Sequence, residues 1–225
     1  MLKYIMNIVI LHGWGQNAGF WKNLTDKLGK NARSFDMPGF GDEAIVNPNW
    51  GVPEYADWVI KKIKKRKDIV LIGHSFGGRI TAEIAGKKPR WLKGIVLSGA
   101  PCLYKPTLKT RFRIITYKFL KLFIPKNLRS IFFTIDLKKA RDKGLEKVFR
   151  NVVVYDQTKQ LENINIPTLL IWGENDTTVP LYIAKEIKKI IKNSDLRIID
   201  NAGHNSNFDN PNLFYGYVKK FIENI

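Results

Sequence analysis

Residues 69–86 read IVLIGHSFGGRITAEIAG. The first four are apolar and mostly β-branched, fit for a buried strand, and from Gly77 onward apolar residues return at helical spacing. Between them, Gly73-His74-Ser75-Phe76-Gly77-Gly78 breaks the chain sharply. A strand turning at once into a helix holds the residue at the turn in a strained conformation and lifts its side chain above the sheet, here the Ser75 hydroxyl. The flanking glycines leave room where helix and strand approach and any side chain would collide. The first amides of the helix and its dipole then face any negative charge near Ser75. A glycine-rich phosphate turn is the rival reading, but it wants a lysine next to the serine, and Phe76 stands there.

Working outward, short apolar runs alternate with segments of helical period. Asn7–Leu11 precedes Gly19–Leu28, Ala32–Phe35 precedes Tyr55–Lys65, and Gly94–Leu97 follows the central unit. Beyond the middle of the chain, Thr168–Trp172 precedes Leu181–Ile191 and Leu196–Ile199 precedes Asn212–Ile222. Strands without polar alternation, each followed by a helix, predict a parallel sheet covered on both faces. The expected class is α/β, a doubly wound, mostly parallel sheet of about six strands, with ligands beyond the carboxyl ends of the strands.

The rhythm stops from Pro101 to about Ile166. There Leu108, Phe112, Ile115, Phe119 and Leu122 keep a helical spacing, Pro125 breaks it, and Asn127–Phe133 begins another helix. A helical insertion after a strand end lies above the site those ends create. The predicted organisation is therefore a core of residues 1–100 and 167–225 with a helical cap at 101–166.

A serine hydroxyl needs a base, and the base needs an orienting carboxylate. Of the three histidines, His12 and His74 sit in turns directly after strands and read as structural. His204, in IIDNAGHNSNF, follows the last strand, and Asp176, in LLIWGENDTTVP, follows the strand before it. Each has a plainer reading, Asp176 as a helix cap and His204 as a loop histidine. Together they place Ser75, Asp176 and His204 on strand ends in the chain order of an α/β-hydrolase triad. A developing oxyanion needs preorganised donors. The N–H groups of Phe76 and of Trp14, the latter in ILHGWGQNAGFW, are the candidates.

HGWG, DMPGFGD, GHSFGG, WGENDTTVP and NAGHN, spread over residues 12–205, resemble the α/β-hydrolase superfamily. LHGWGQNAGFW most resembles its carboxylesterase group, which includes pimeloyl-acyl-carrier-protein methyl ester esterases. The resemblance implies Ser75, Asp176 and His204 as nucleophile, acid and base, and Trp14 and Phe76 as oxyanion donors. It implies no metal and no organic cofactor. Family members usually begin with a β-hairpin before the HGxG strand, whereas only Met1–Met6 precede it here. A smaller sheet and, with a short cap, a more open site are expected. Phe20, Trp21, Phe112 and Phe119 are candidates for an apolar substrate pocket, though each reads equally well as core.

The 225 residues, 44% hydrophobic and 12% aromatic, suit one folded α/β domain, and no apolar run is long enough to span a bilayer. A lone cysteine, Cys102, points to a reducing compartment, with the cytoplasm expected. The chain carries +18, and a net +10 of that falls between Pro101 and Asn163. Arg111, Arg113, Lys118, Lys121, Lys126 and Arg129 could form a rim that steers an acidic carrier protein or rests on an anionic membrane. A wholly lysine-rich surface is the plain alternative. Without a recognised binding motif, nucleic acid is not an expected partner. The leading expectation is thus a serine hydrolase acting on a small-molecule carboxylic ester. Beside it stand an acyl-carrier-protein methyl ester esterase and, from another class, a ligand-binding protein of the same fold with little turnover.

Overall fold

A computed structural model describes residues 6–64, 66–104 and 140–225. The six strands are β1 (Asn7–Leu11), β2 (Ala32–Ser34), β3 (Ile69–His74), β4 (Leu92–Ser98), β5 (Thr168–Gly173) and β6 (Ser194–Ile199). All pair in parallel, in the order β2-β1-β3-β4-β5-β6. The order reverses direction at β1 and β3, the point where such sheets open a crevice beyond their carboxyl ends. The loop with Trp14 leaves β1, and the turn with Ser75 leaves β3.

Alternate residues of each strand feed two apolar layers, as a period of two dictates. Val9, Leu11, Leu71, Leu97 and Trp172 pack on one face, while Ile8, Ile10, Ile72, Val96 and Ile171 pack on the other. The first layer is closed by α2 (Val52–Ile63), α3 (Phe76–Gly86), α4 (Glu146–Val154), α5 (Thr158–Glu162) and α6 (Leu181–Ile190). The second is closed by α1 (Lys22–Leu28) and α8 (Pro211–Glu223), with the four-residue α7 (Ser206–Asp209) before it. Fully buried side chains such as Leu71 and Ile72 contribute about 1.5–3 kcal/mol each. Exposed ion pairs such as Lys22–Asp26, at 2.7 Å, contribute about 1 kcal/mol or less. The two apolar layers therefore hold the fold. At the edges, β2 is only three residues long and β6 carries the exposed Asp195 and Arg197, both devices that discourage pairing with another chain.

Two of the helix starts differ from the sequence expectation for a reason visible at their caps. The first helical segment opens as a short 3-10 helix, Ala18–Trp21, because the Asn17 carboxamide accepts from Phe20 N at 3.2 Å before the α-helix begins. α2 begins at Val52, ahead of the expected Tyr55, because the Glu54 carboxylate reaches back to Gly51 N at 2.7 Å and Pro53 suits a first turn.

The chain leaving β4 and the chain returning toward β5 are clasped together. Gln157 N donates to Cys102 O at 3.0 Å, and Tyr104 N donates to Asp156 Oδ2 at 2.8 Å. Arg79 of α3, only 4% exposed, donates from Nη1 to Tyr155 O at 2.6 Å and so satisfies a carbonyl beyond the end of α4. No helix among the described residues is long and apolar enough to cross a membrane. The basic residues Arg111, Arg113, Lys118, Lys121, Lys126 and Arg129, and the aromatics Phe112 and Phe119, lie outside the described residues.

Candidate active site

Ser75 sits between β3 and α3 with φ 50° and ψ −110°. A non-glycine residue there costs on the order of 1–3 kcal/mol, which the surroundings must offset. Ser75 N donates to Ser98 O at 2.9 Å, Gly77 N to His12 O at 3.1 Å and Arg79 N to Ser75 O at 3.1 Å. A Cβ on Gly73 would strike the Gly77 carbonyl, and one on Gly77 would strike the Leu11 carbonyl. Both glycines are thus required by contact distance, because helix and strands touch main chain to main chain. From Ile69 to Ala85 every residue is buried except Ser75.

His204 Nδ1 lies 2.8 Å from Asp176 Oδ2. The acid is fixed in turn, since its Oδ1 accepts from Thr178 N at 2.9 Å and Val179 N at 2.8 Å. Three donors suit an ionised carboxylate and leave Nδ1 the protonated nitrogen of a neutral His204, with Nε2 free to accept. The Asp176 side chain is fully buried, while that of His204 is 18% exposed, so the imidazole alone of this pair meets the crevice.

Ser75 and His204 each lie against the Ser98–Gly99 segment at the end of β4. Ser75 N bonds the carbonyl of the preceding Ser98, and a Cβ on Gly99 would stand 3.1 Å from both Cε1 and Nδ1 of His204. The Ser75 hydroxyl itself makes no hydrogen bond to a described residue. A catalytic hydrogen bond that is long or unmade before substrate binds is a usual state of affairs. Gly99 was not among the sequence candidates, although LSGA after a strand is its signal. Gly99→Ala should reduce kcat about tenfold or more by displacing the imidazole. Steady-state kinetics beside a far-UV circular dichroism spectrum checks this, and an unchanged kcat would remove Gly99 from the site.

The two expected oxyanion donors are Trp14 N and Phe76 N. No described residue accepts a hydrogen bond from Trp14 N or Phe76 N. The Gly13 N–H is already committed to Gln16 Oε1 at 2.9 Å, and Gly77 N to His12 O. Above them the Trp14 ring contacts Phe40 and Phe149 at 5.0 Å and Phe76 at 5.4 Å, all edge-on. Phe40 and Phe149 were not singled out in the sequence, although Phe40 lies within the DMPGFGD motif, because neither stands next to a candidate reacting group.

The other two histidines are neutral supports. Met37 N donates to His12 Nε2 at 3.1 Å, so His12 Nδ1 carries the proton and donates to Gly13 O at 2.9 Å. His74 Nδ1 donates to Ser98 O at 3.2 Å. Burial first, then the neighbouring His204, lowers the His74 pKa from 6.5 to about 3. Between those values the unfolded chain binds a proton that the fold refuses. Stability is therefore complete above pH 6.5 and declines as pH falls toward 3. From pH 7 to 5 this ring should remove about 2 kcal/mol, at 1.36 kcal/mol per unit. Urea unfolding at the two pH values measures the loss. His74→Gln should shrink it, and an equal loss in that variant would clear His74 of the effect.

Of the pocket candidates, Trp21 is wholly buried, packed on His74 at 5.8 Å and Phe214 at 6.1 Å between ring centroids. It belongs to the layer beneath α1 and α8. Phe20 stacks on Phe208 at 5.9 Å and lines a cavity of about 340 Å³ with Asn23, Leu24, Asn207 and Pro211. None of Ser75, Asp176, His204, Trp14 or Phe76 lines that cavity. Among the described residues no cluster of three His, Cys, Asp or Glu could hold a metal ion.

Comparison with known proteins gives a consistent result. The sequence profile of the alpha/beta hydrolase family matches residues 8–215. A pimeloyl-[acyl-carrier protein] methyl ester esterase from Wigglesworthia glossinidia brevipalpis is 31% identical, over 97% of this chain and 94% of its own length. A 2-hydroxy-6-oxononadienedioate/2-hydroxy-6-oxononatrienedioate hydrolase from Cupriavidus pinatubonensis is 26% identical, over 96% of this chain and 86% of its own. Among solved structures, an esterase from Exiguobacterium antarcticum superposes with a TM-score of 0.76 at 20% identity, covering 97% of this chain and 92% of that one.

Proposed function

The chain belongs to the alpha/beta hydrolase family, and on that footing we propose that it is a carboxylic ester hydrolase working through a covalent acyl-enzyme on Ser75. The observation that carries the reading is the 2.8 Å contact of His204 Nδ1 with a buried Asp176, beside a serine held at positive φ. Ser75 Oγ attacks the ester carbonyl carbon as its proton passes to His204 Nε2. The carbonyl oxygen, now negative, accepts from Trp14 N and Phe76 N. Collapse of the tetrahedral intermediate breaks the bond to the alkoxy oxygen, which leaves as the alcohol with the proton from Nε2. Water then attacks the acyl-enzyme by the same route, giving the acid and restoring Ser75. Asp176 keeps its charge throughout and fixes the imidazole tautomer. The Trp14, Phe40, Phe76 and Phe149 rings supply an apolar wall for the acyl chain, and residues 101–166 act as the cap over it.

A second reading has a specific support. The 31% identical relative is named for an acyl-carrier-protein ester, and the segment 101–163 carries a net +10 of this chain's +18. An acidic carrier protein bearing the ester is accordingly the proposed partner, with free small esters as weaker substrates.

Two measurements test this. An alkyl fluorophosphonate should add one phosphonyl group, recovered by peptide mass spectrometry on Ser75, and p-nitrophenyl esters should be hydrolysed with a pre-steady-state burst. Hydrolysis with no adduct on Ser75 would overturn the mechanism. For the carrier protein, kcat/KM should fall with added salt while that for a neutral ester holds. Equal salt responses would remove the docking role.

A further inference from the structure

The loop that offers Trp14 N and the loop that carries His204 come from opposite ends of the chain. Among the described residues one hydrogen bond joins them, from Gln16 Nε2 to Asn205 Oδ1 at 3.1 Å, across 189 residues of sequence. The other end of the same carboxamide, Oε1, accepts from Gly13 N at 2.9 Å. The amide cannot be turned round, because a main-chain N–H only donates and must face the oxygen. Gln16 also closes the turn through its own main chain, Gln16 N donating to Gly13 O at 3.2 Å. Trp14 therefore sits at the apex of a four-residue turn bound at its base by both the backbone and the side chain of Gln16.

Asn205 is the residue after His204, and its side chain lies close enough to the His74 ring to act on its charge. The His74 ring lies 4.8 Å from that of His204. On its other side His74 packs so closely on Gly13 that a Cβ there would be 2.8 Å from Cδ2. The Gln16–Asn205 bond thus joins the donor turn to the base, with the His74 ring packed between Gly13 and His204. We propose that Gln16 and Asn205 are positioning residues, their side-chain bond setting the Trp14 N–H at a fixed distance from the His204 imidazole. The proposal rests on the triad reading above and adds what holds its two halves in register.

The chemistry gives this bond leverage. An oxyanion donor works only within about 2.7–3.1 Å of where the charge appears, and a displacement near 1 Å can cost about 100-fold. Trp14 N and His204 must serve the same tetrahedral carbon, yet nothing in local sequence ties them. Substrate held by the apolar wall would feel no difference before reaction, so the effect belongs in kcat rather than KM.

Gln16→Leu, Asn205→Ala and the double variant test it, assayed on p-nitrophenyl butyrate with an alkyl trifluoromethyl ketone as a tetrahedral mimic. Each single change should lower kcat 10- to 100-fold with KM within about twofold, and weaken the ketone in proportion. The double variant should fall no further than the worse single, because both break the same bond. Either single change at full kcat, a loss confined to KM, or a double variant whose loss is the product of the singles would overturn the latch. Should Gln16→Leu fail to fold, Asn205→Ala breaks the bond from the other loop, and its kcat alone decides. A wild type that neither turns over esters nor accepts the phosphonate on Ser75 overturns the triad reading and the latch with it. A wild type that does both while Gln16→Leu stays fully active overturns the latch alone.

Discussion

Ser75→Ala is expected to reduce kcat/KM for p-nitrophenyl esters by about 10⁴-fold or more while the melting temperature stays within a degree or two. The two halves of that expectation have separate causes. Without the oxygen no acyl-enzyme can form, and only donor stabilisation and binding remain to assist water. Stability holds because the Ser75 hydroxyl has no hydrogen-bond partner among the described residues to lose. Alanine also meets the same φ of 50° with the same Cβ, so the strain is carried over unchanged. Activity surviving in the variant, with Ser75 absent by mass spectrometry, would move the nucleophile elsewhere.

The second large effect is structural. Gly77→Ala should lower stability by about 3 kcal/mol, or roughly 10 °C in a chain of this size. Its Cβ would strike the Leu11 carbonyl and stand 2.7 Å from His12 O. Neither atom can retreat, because Leu11 is paired with Gly73 in the sheet. The start of α3 must lift instead, breaking Gly77 N to His12 O and carrying Phe76 N away from the oxyanion. Activity should therefore fall with stability. Gly216→Ala is the control, since that exposed helical position has nothing within 4 Å of a new Cβ. There the helix should gain close to 1 kcal/mol. Thermal melts of the two variants should move in opposite directions, and a shared direction would refute the contact argument.

The parallel sheet was legible because its evidence is local. Runs such as Ile69–Ile72 carry no polar alternation, so burial on both faces follows at once, and the six expected strands are the six observed. Ser75, Asp176 and His204 were candidates for the same reason, each marked by a turn after a strand, and the structure joins the last two. What depends on orientation or on distant pairing was not. Trp21, close behind the HGWG turn, reads the same in sequence whether its ring points into the crevice or, as found, beneath α1 and α8. Gly99 is one small residue after a strand, like many, until His204 is seen against it. Gln16 and Asn205 lie inside quoted motifs, yet nothing marks them as partners, because a bond between residues so far apart exists only after the sheet has assembled.

The clasp that joins residues 102–104 to residues 155–157 bears on how this scaffold can change. These ends are pinned by Gln157 to Cys102, by Tyr104 to Asp156, and by Arg79 one turn beyond the nucleophile. What a chain does between two fixed points costs the remainder little, since doubling such a span adds only about 0.6 kcal/mol of closure entropy. Stretches of other lengths can thus be spliced in there with the turn that carries Ser75 left intact.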